Sequence, residues 1–250
     1  MTGQWQPFDA AGMIESPIVF ADADILLVDK PSGMPSVPAR TDRDPPSVVE
    51  RLADRFGPVE AVHRLDRDTS GLLLLARSRA ARAALGRAFE VREVRKRYLA
   101  ISSGRLPAAA GTIHLPLGDD PLEPPRKRID PILGRSATTR WRWIANAAGS
   151  GGPVSLVALE PVTGRSHQLR AHLAWLGAPI VGDRLYGPRG GVASPSAPLA
   201  LLAASLGFPH PADGRWIEAE AALPSGAAWS LFGPEHYRVG RSADDSTFDQ

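Results

Sequence analysis

Apolar positions along this chain fall into runs of two spacings, and the change from one spacing to the other predicts its elements. Ile18-Val19-Phe20 and Ile25-Leu26-Leu27-Val28 are short apolar runs around Ala-Asp-Ala-Asp, the pattern of two strands joined by a turn. Lys30-Pro31-Ser32-Gly33 ends the second strand. From Ser47 the spacing becomes helical: Val48, Val49, Leu52 and Phe56 follow a serine cap, and Gly57-Pro58 closes that helix. A polar loop, 64–70, then feeds Gly71-Leu72-Leu73-Leu74-Leu75-Ala76, a run with no polar side and therefore a buried strand. Ser78 caps a second helix in which Ala81, Ala84, Leu85, Ala88 and Phe89 share one face, with Arg79, Arg82 and Arg87 elsewhere on the surface.

Beyond it, residues 97–101 read as a strand, and residues 102–135, rich in Gly, Pro and charge, as long connections with one strand at 112–115. Residues 141–144 and 154–159 are expected to pair antiparallel around the Gly/Ser stretch 149–152. The spacing of Leu169, Leu173 and Leu176 predicts a third helix over 166–176, ended by Gly177. Residues 187–198 read as a Gly/Pro/Ser loop, 1–16 as a loose arm and 239–250 as a disordered tail around a domain at 17–238. This irregular alternation predicts an α+β fold, with a central mixed, mostly antiparallel sheet flanked by helices and long loops, over a doubly wound parallel sheet.

Composition narrows the function classes. With 43% hydrophobic residues over 250 positions the chain can bury a sizeable core, which excludes wholesale disorder. It has no cysteine, which excludes disulfides, thiolate zinc sites, iron–sulfur clusters and a cysteine nucleophile. The longest aliphatic stretches, 71–76 and 199–206, fall short of the roughly 20 residues of a membrane helix, and no secretory signal opens the chain. We therefore expect a cytoplasmic monomer without membrane contact. Net charge is only +2, but its distribution is uneven: residues 1–60 sum to −5, residues 61–142 to +9 and residues 143–250 to −2. Arginines make up 26 of the 29 basic residues, and their planar fork suits phosphate and base edges. Charge therefore permits a nucleic-acid partner without requiring one.

No Walker A sequence, G-x-G-x-x-G or H-E-x-x-H occurs. His167 and His172 are five apart and make a poor metal pair on a helix, so no metal and no nucleotide cofactor is expected. The densest chemistry lies in Val62-His63-Arg64-Leu65-Asp66-Arg67-Asp68-Thr69-Ser70-Gly71, a polar loop entering a rigid buried strand, where a scaffold holds reactive groups still. Asp66 and Asp68 are too close in the chain for a glycosidase pair, and on residues alone a structural turn and a catalytic loop both remain open. A second constellation is Thr163-Gly164-Arg165-Ser166-His167-Gln168-Leu169-Arg170, a turn into a helix whose first turns present Arg165, His167 and Arg170. Such an arrangement suits an anion, either a phosphate or the Asp66 carboxylate.

Taken together, H-R-L-D-x-x-T-S-G-L at 63–72, Arg95-Lys96-Arg97-Tyr98, T-G-R-S-H-Q-L-R at 163–170 and G-x-P-I-x-G-D-x-x-Y-G at 177–187 resemble the motifs of the RluA-type pseudouridine synthases, in that family's order. The resemblance runs from about residue 17 to about residue 224. Many relatives carry an N-terminal S4-like RNA-binding domain, and the few residues before Pro17 fit the compact group without one. The resemblance implies an RNA-modifying isomerase that converts specific uridines to pseudouridine in structured RNA, 23S rRNA or a tRNA stem-loop or both, with no cofactor. It places the essential aspartate on Asp66, the uracil-stacking tyrosine on Tyr98 and the aspartate-pairing arginine on Arg170, with Arg165 the weaker candidate. It also places RNA contacts on His63, Arg64, Leu65, Thr69, Arg165 and His167, with Arg64 filling the gap left by the extruded uridine. The basic segment 77–97 and Arg126, Lys127 and Arg128 are the expected RNA-backbone contacts, a solvated face being the alternative. In one departure, relatives read L-x-L-H-A where this chain has Leu199-Ala200-Leu201-Leu202-Ala203, which puts a peripheral contact in doubt.

Two other classes stay distinguishable. A silent RNA-binding protein on the same scaffold would show no turnover, and a glycoside or nucleoside hydrolase would release free uracil and need a well-separated second carboxylate.

Overall fold

The computed structural model describes residues 17–38, 45–187 and 197–237; the arm expected at 1–16, the tail expected at 239–250 and most of the loop expected at 187–198 lie outside them. In chain order the strands are β1 (Ile18–Ala21), β2 (Ile25–Lys30), β3 (Glu60–Ala61), β4 (Ser70–Ala76), β5 (Arg95–Ser103), β6 (Ala110–His114), β7 (Leu117–Asp119), β8 (Lys127–Ile129), β9 (Thr138–Gly149), β10 (Gly152–Pro161), β11 (Leu201–Pro209) and β12 (Trp216–Glu220). The helices are α1 (Val48–Phe56), α2 (Arg79–Glu90) and α3 (Gln168–Trp175). Parallel and antiparallel pairings both occur, and the fold is α+β. No helix among the described residues is long and apolar enough to cross a membrane. The chain divides into two compact units, Met1–Lys96 with Leu202–Ala222, and Arg97–Leu201 with Leu223–Gln250.

In the first unit β4 is the central strand, antiparallel to β2 and parallel to β11. Its four leucines are fully buried, as a run without a polar side requires. β1 pairs with β2, and the Asp22 carboxylate accepts the N–H groups of Asp24 and Ile25 in the turn between them. Ser47 and Glu50 cap each other at the start of α1, each side chain accepting the other's backbone N–H. α2 begins at Ser78, whose hydroxyl accepts the Ala81 N–H, and lays Ala81, Leu85 and Ala88 into a core with Ile25, Leu27, Leu72, Leu74 and Phe208. β12 covers β11, although its alternating, half-exposed residues gave no strand expectation.

Gly71, at φ +106°, is in register with Ala203 of β11, and a Cβ there would lie 2.3 Å from the Ala203 carbonyl oxygen. Leu202, the departure from the family pattern, is buried and in register with Ser70, so it stands at the head of β4 rather than at a periphery.

In the second unit β10 runs antiparallel between β5 and β9, and β6 adds to β9. The β9–β10 hairpin turns where the Gly/Ser stretch predicts. The long connection expected at 102–135 instead contains three strands, because β7 and β8 form their own two-stranded sheet and β6 joins β9. β6 answers the strand expected at 112–115, while β7 and β8 are too brief to stand out among the prolines and charges around them. α3 starts at Gln168, two residues later than the apolar spacing predicts. His167 has φ +55°, a left-handed conformation that cannot be a helical turn, and so Arg165 and His167 lie on the turn before the helix.

Candidate active site

In the first unit, the loop after β3 is gripped by the segment after β2. Leu65 N–H donates to the Ser36 hydroxyl at 3.0 Å, and that hydroxyl donates to the Leu65 carbonyl at 2.9 Å. The Arg67 carbonyl accepts from Gly33 N–H and from Lys30 Nζ, both at 2.9 Å, and the Asp68 carbonyl accepts from the Ser32 hydroxyl at 2.7 Å. Thr69 N–H closes the turn on the Asp66 carbonyl at 3.1 Å. The backbone is thus tied on both sides of Asp66, whose side chain is half-exposed between the exposed Arg64 and Arg67. Leu65 and Thr69 are buried.

Lys30 has no exposed surface, and its ammonium is bound by the carbonyls of Pro31, Met34 and Arg67. Burial pulls its pKa down from 10.5 to about 7, against the opposing charges of Asp68 and Asp66. His63 stacks on Phe89 with ring centroids 5.1 Å apart, and its Nε2 accepts the Leu74 N–H at 3.1 Å. Burial, with the nearby Lys96 charge, pushes that imidazole down to about 3, so it holds the loop as a neutral ring.

The second unit carries the other constellation. Gln168 organises the turn: its Oε1 accepts from the Thr163 hydroxyl at 2.7 Å and Arg165 N–H at 3.0 Å, while its Nε2 donates to the Thr138 carbonyl and the Thr139 hydroxyl. In the first turn of α3, Arg170 is buried and forks onto Asp183, with Nε and one Nη each 2.8 Å from a carboxylate oxygen. Asp183 Oδ1 also accepts the N–H groups of Leu185 and Tyr186. The Tyr186 ring lies 5.3 Å from the guanidinium carbons of both Arg126 and Arg170. Its hydroxyl accepts Lys127 N–H at 2.7 Å and meets His167 Nδ1 at 3.1 Å. Tyr98 lies half-buried on β5, in register with Leu159.

His167 and Arg170 are thus joined with Lys127 through Tyr186 and Asp183, while Arg165 is held to Gln168 in the preceding turn. Leu65 to Thr69 form the gripped loop, with His63 bonded to Leu74 beside it. Asp183, Tyr186, Gln168, Lys30, Ser32 and Ser36 were given no role by sequence reasoning. The signal available was position: all six lie inside the quoted motifs or in the Lys30-to-Ser36 stretch beside them. The expected backbone contacts are each matched locally, Arg126 with Glu123, Lys127 with Asp119 and Arg128 with Asp130. In the basic segment 77–97, Arg79, Arg87 and Arg92 are exposed, and Arg95 lies over Trp216 at 5.2 Å.

Residues 24–175 match the family model described as RNA pseudouridylate synthase. The chain belongs to that family. It is 41% identical over 199 residues to the dual-specificity RNA pseudouridine synthase RluA of Haemophilus influenzae, covering 79% of this chain and 89% of that protein. It is 39% identical to the protein of the same description from Escherichia coli K12, over the same shares. Among solved structures, human RNA pseudouridylate synthase domain containing 1 superposes with a TM-score of 0.72 at 31% identity, covering 84% of each chain. The family's RluA type is therefore that of this chain, and its activity is the isomerisation of uridine to pseudouridine in RNA.

Proposed function

We propose that the substrates are large-subunit ribosomal RNA, a tRNA stem-loop or both, and that Asp66 is the catalytic carboxylate. The observation that carries this reading is the gripped loop, which ties the backbone on either side of Asp66 while leaving the side chain accessible. The reaction breaks the N1–C1′ bond, turns the uracil and joins C5 to C1′. A proton leaves C5 and one is taken up at N1, so nothing is oxidised or reduced. An ionised Asp66 serves this as nucleophile or as base.

Tyr98 stacks on the uracil. Arg170, held in one orientation by Asp183, supplies positive charge to the reacting nucleotide. A uridine in a stem-loop leaves its stack at a cost of a few kcal/mol, and the exposed Arg64 fills the gap by stacking its guanidinium on neighbouring bases. Of the remaining proposed RNA contacts, His63, Leu65 and Thr69 act through the shape of the loop. Arg165, His167, Arg126, Lys127 and Arg128 act on the RNA backbone. The enzyme works as a cytoplasmic monomer.

The dual specificity in the names of the two bacterial relatives supports two RNA classes. The test is release of C5 tritium by the purified protein from labelled stem-loops of each RNA, with pseudouridine mapping in cells lacking the protein. Tritium release without free uracil, and loss of mapped sites, are the expected results. Free uracil would mark a hydrolase instead, and release from neither RNA would overturn the reading.

A further inference from the structure

A cavity of about 500 Å³ opens in the second unit beside the β7–β8 hairpin, within the roughly 300–1,000 Å³ of small-ligand sites. Four cations line it, Lys127, Arg128, Arg135 and Arg165, together with Leu133 and Pro121. Asp119 and Asp130 match Lys127 and Arg128. Arg135 and Arg165 have no carboxylate partner among the described residues. Arg165 Nε donates to the Ser136 carbonyl at 3.1 Å, which ties its side chain to the residue following Arg135.

The same cavity has an unusual apolar wall. Leu133 is 83% exposed, and its neighbour in the chain, Ile132, is 89% exposed. Their exposure is built into the turn: Asp130 Oδ1 accepts the N–H groups of both residues, at 3.1 and 2.9 Å, and Gly134 N–H returns to the Asp130 carbonyl at 3.0 Å. Two unmatched arginines beside a held-out aliphatic surface fit a phosphate joined to an unstacked base. They do not fit a regular duplex, which offers phosphates alone to such a wall.

Resting on the reading of this chain as an enzyme acting on RNA stem-loops, we infer that this cavity is a second RNA subsite that holds one unpaired nucleotide of the substrate. Its phosphate lies on Arg135 and Arg165, and its base lies against Leu133. The site selects RNA with an open loop and adds affinity without touching the reacting uridine.

The test measures binding of a fluorescein-labelled RNA hairpin with a uridine-containing loop, and of the blunt duplex of its stem, across a range of salt concentrations. In the double variant Arg135→Ala/Arg165→Ala, hairpin affinity falls, and the plot of log affinity against log salt becomes shallower by about 1.4, for two phosphate contacts on a single strand. Leu133→Ser weakens hairpin binding several-fold and leaves duplex binding unchanged. All three side chains are at least partly exposed, so the variants are expected to fold. Unchanged affinity and salt slope would overturn the inference, as would equal losses on hairpin and duplex. A loss of self-association in sedimentation with RNA binding intact would also overturn it and assign the surface to a second copy of the chain. Tritium release by the wild type and by Asp66→Asn, run on the same hairpin carrying C5-tritiated uridine, separates the two levels: an active wild type and a dead Asp66→Asn, with binding unaffected in Arg135→Ala/Arg165→Ala, remove the subsite and the Arg165 contact but leave the Asp66 reading standing, whereas an active Asp66→Asn removes the reading beneath it.

Discussion

At the scale of single residues, the charges inside this protein are explained by their immediate surroundings. Arg170 is buried on a fully buried Asp183, and breaking a buried pair of this kind by removing one partner costs about 3–5 kcal/mol. Asp183→Ala should lower the urea midpoint accordingly; a shift near zero would mean that Arg170 is stabilised by other contacts. Gly71→Ala forces both a left-handed backbone and a Cβ against the Ala203 carbonyl, and should destabilise by about 2–4 kcal/mol in the same measurement. Lys30 carries a pH signature. Because its pKa is about 7 when folded and 10.5 when unfolded, the unfolded chain binds more protons between those values, and stability rises with pH across them. Lys30→Met should flatten that rise, and an unaltered profile would contradict the burial argument. These residues were only partly legible beforehand. Asp183 stands in a recognised motif, but nothing in the order of residues says that its partner lies thirteen positions away.

At the scale of elements, the legible ones are those whose apolar pattern fills a whole surface. The leucines of β4 and the serine caps of α1 and α2 place those elements within a residue of their observed bounds. The late start of α3 was hidden because the Gln168 side chain and the left-handed His167 backbone set the preceding turn, and neither shows in apolar spacing. β7, β8 and β12 were hidden because they are short, and β8 and β12 have no fully buried residue to mark a pattern. The grip of the 30–36 segment on the loop at 65–68 is likewise a long-range pairing that local spacing does not encode. It predicts that Ser36→Ala, which removes two hydrogen bonds worth about 1 kcal/mol each, loosens Asp66. Steady-state kinetics should show a lower kcat with KM for RNA nearly constant. A change confined to KM would make Ser36 an RNA-binding group.

At the scale of the whole molecule, acid should unfold the protein early. His63 and His172, one in each unit, are both held neutral by burial, and Asp22, Glu50 and Asp130 are held below the usual carboxylate range by hydrogen bonds. Each such group binds protons more readily unfolded, so stability is lost as pH falls below about 6.5, the ordinary histidine value. Calorimetry at pH 7 and pH 5 should give a lower Tm at pH 5; a higher one would contradict these assignments. The near-neutral total charge conceals a +9 middle third, and that third contains Asp66, Tyr98 and the Arg126-to-Arg128 segment. The central claim concerns one carboxylate. Wild-type protein and Asp66→Asn should be compared for tritium release from C5-labelled stem-loop RNA, with binding of the same RNA measured alongside. Release by the wild type, none by Asp66→Asn and similar binding by both is the predicted result; substantial release by Asp66→Asn would contradict it.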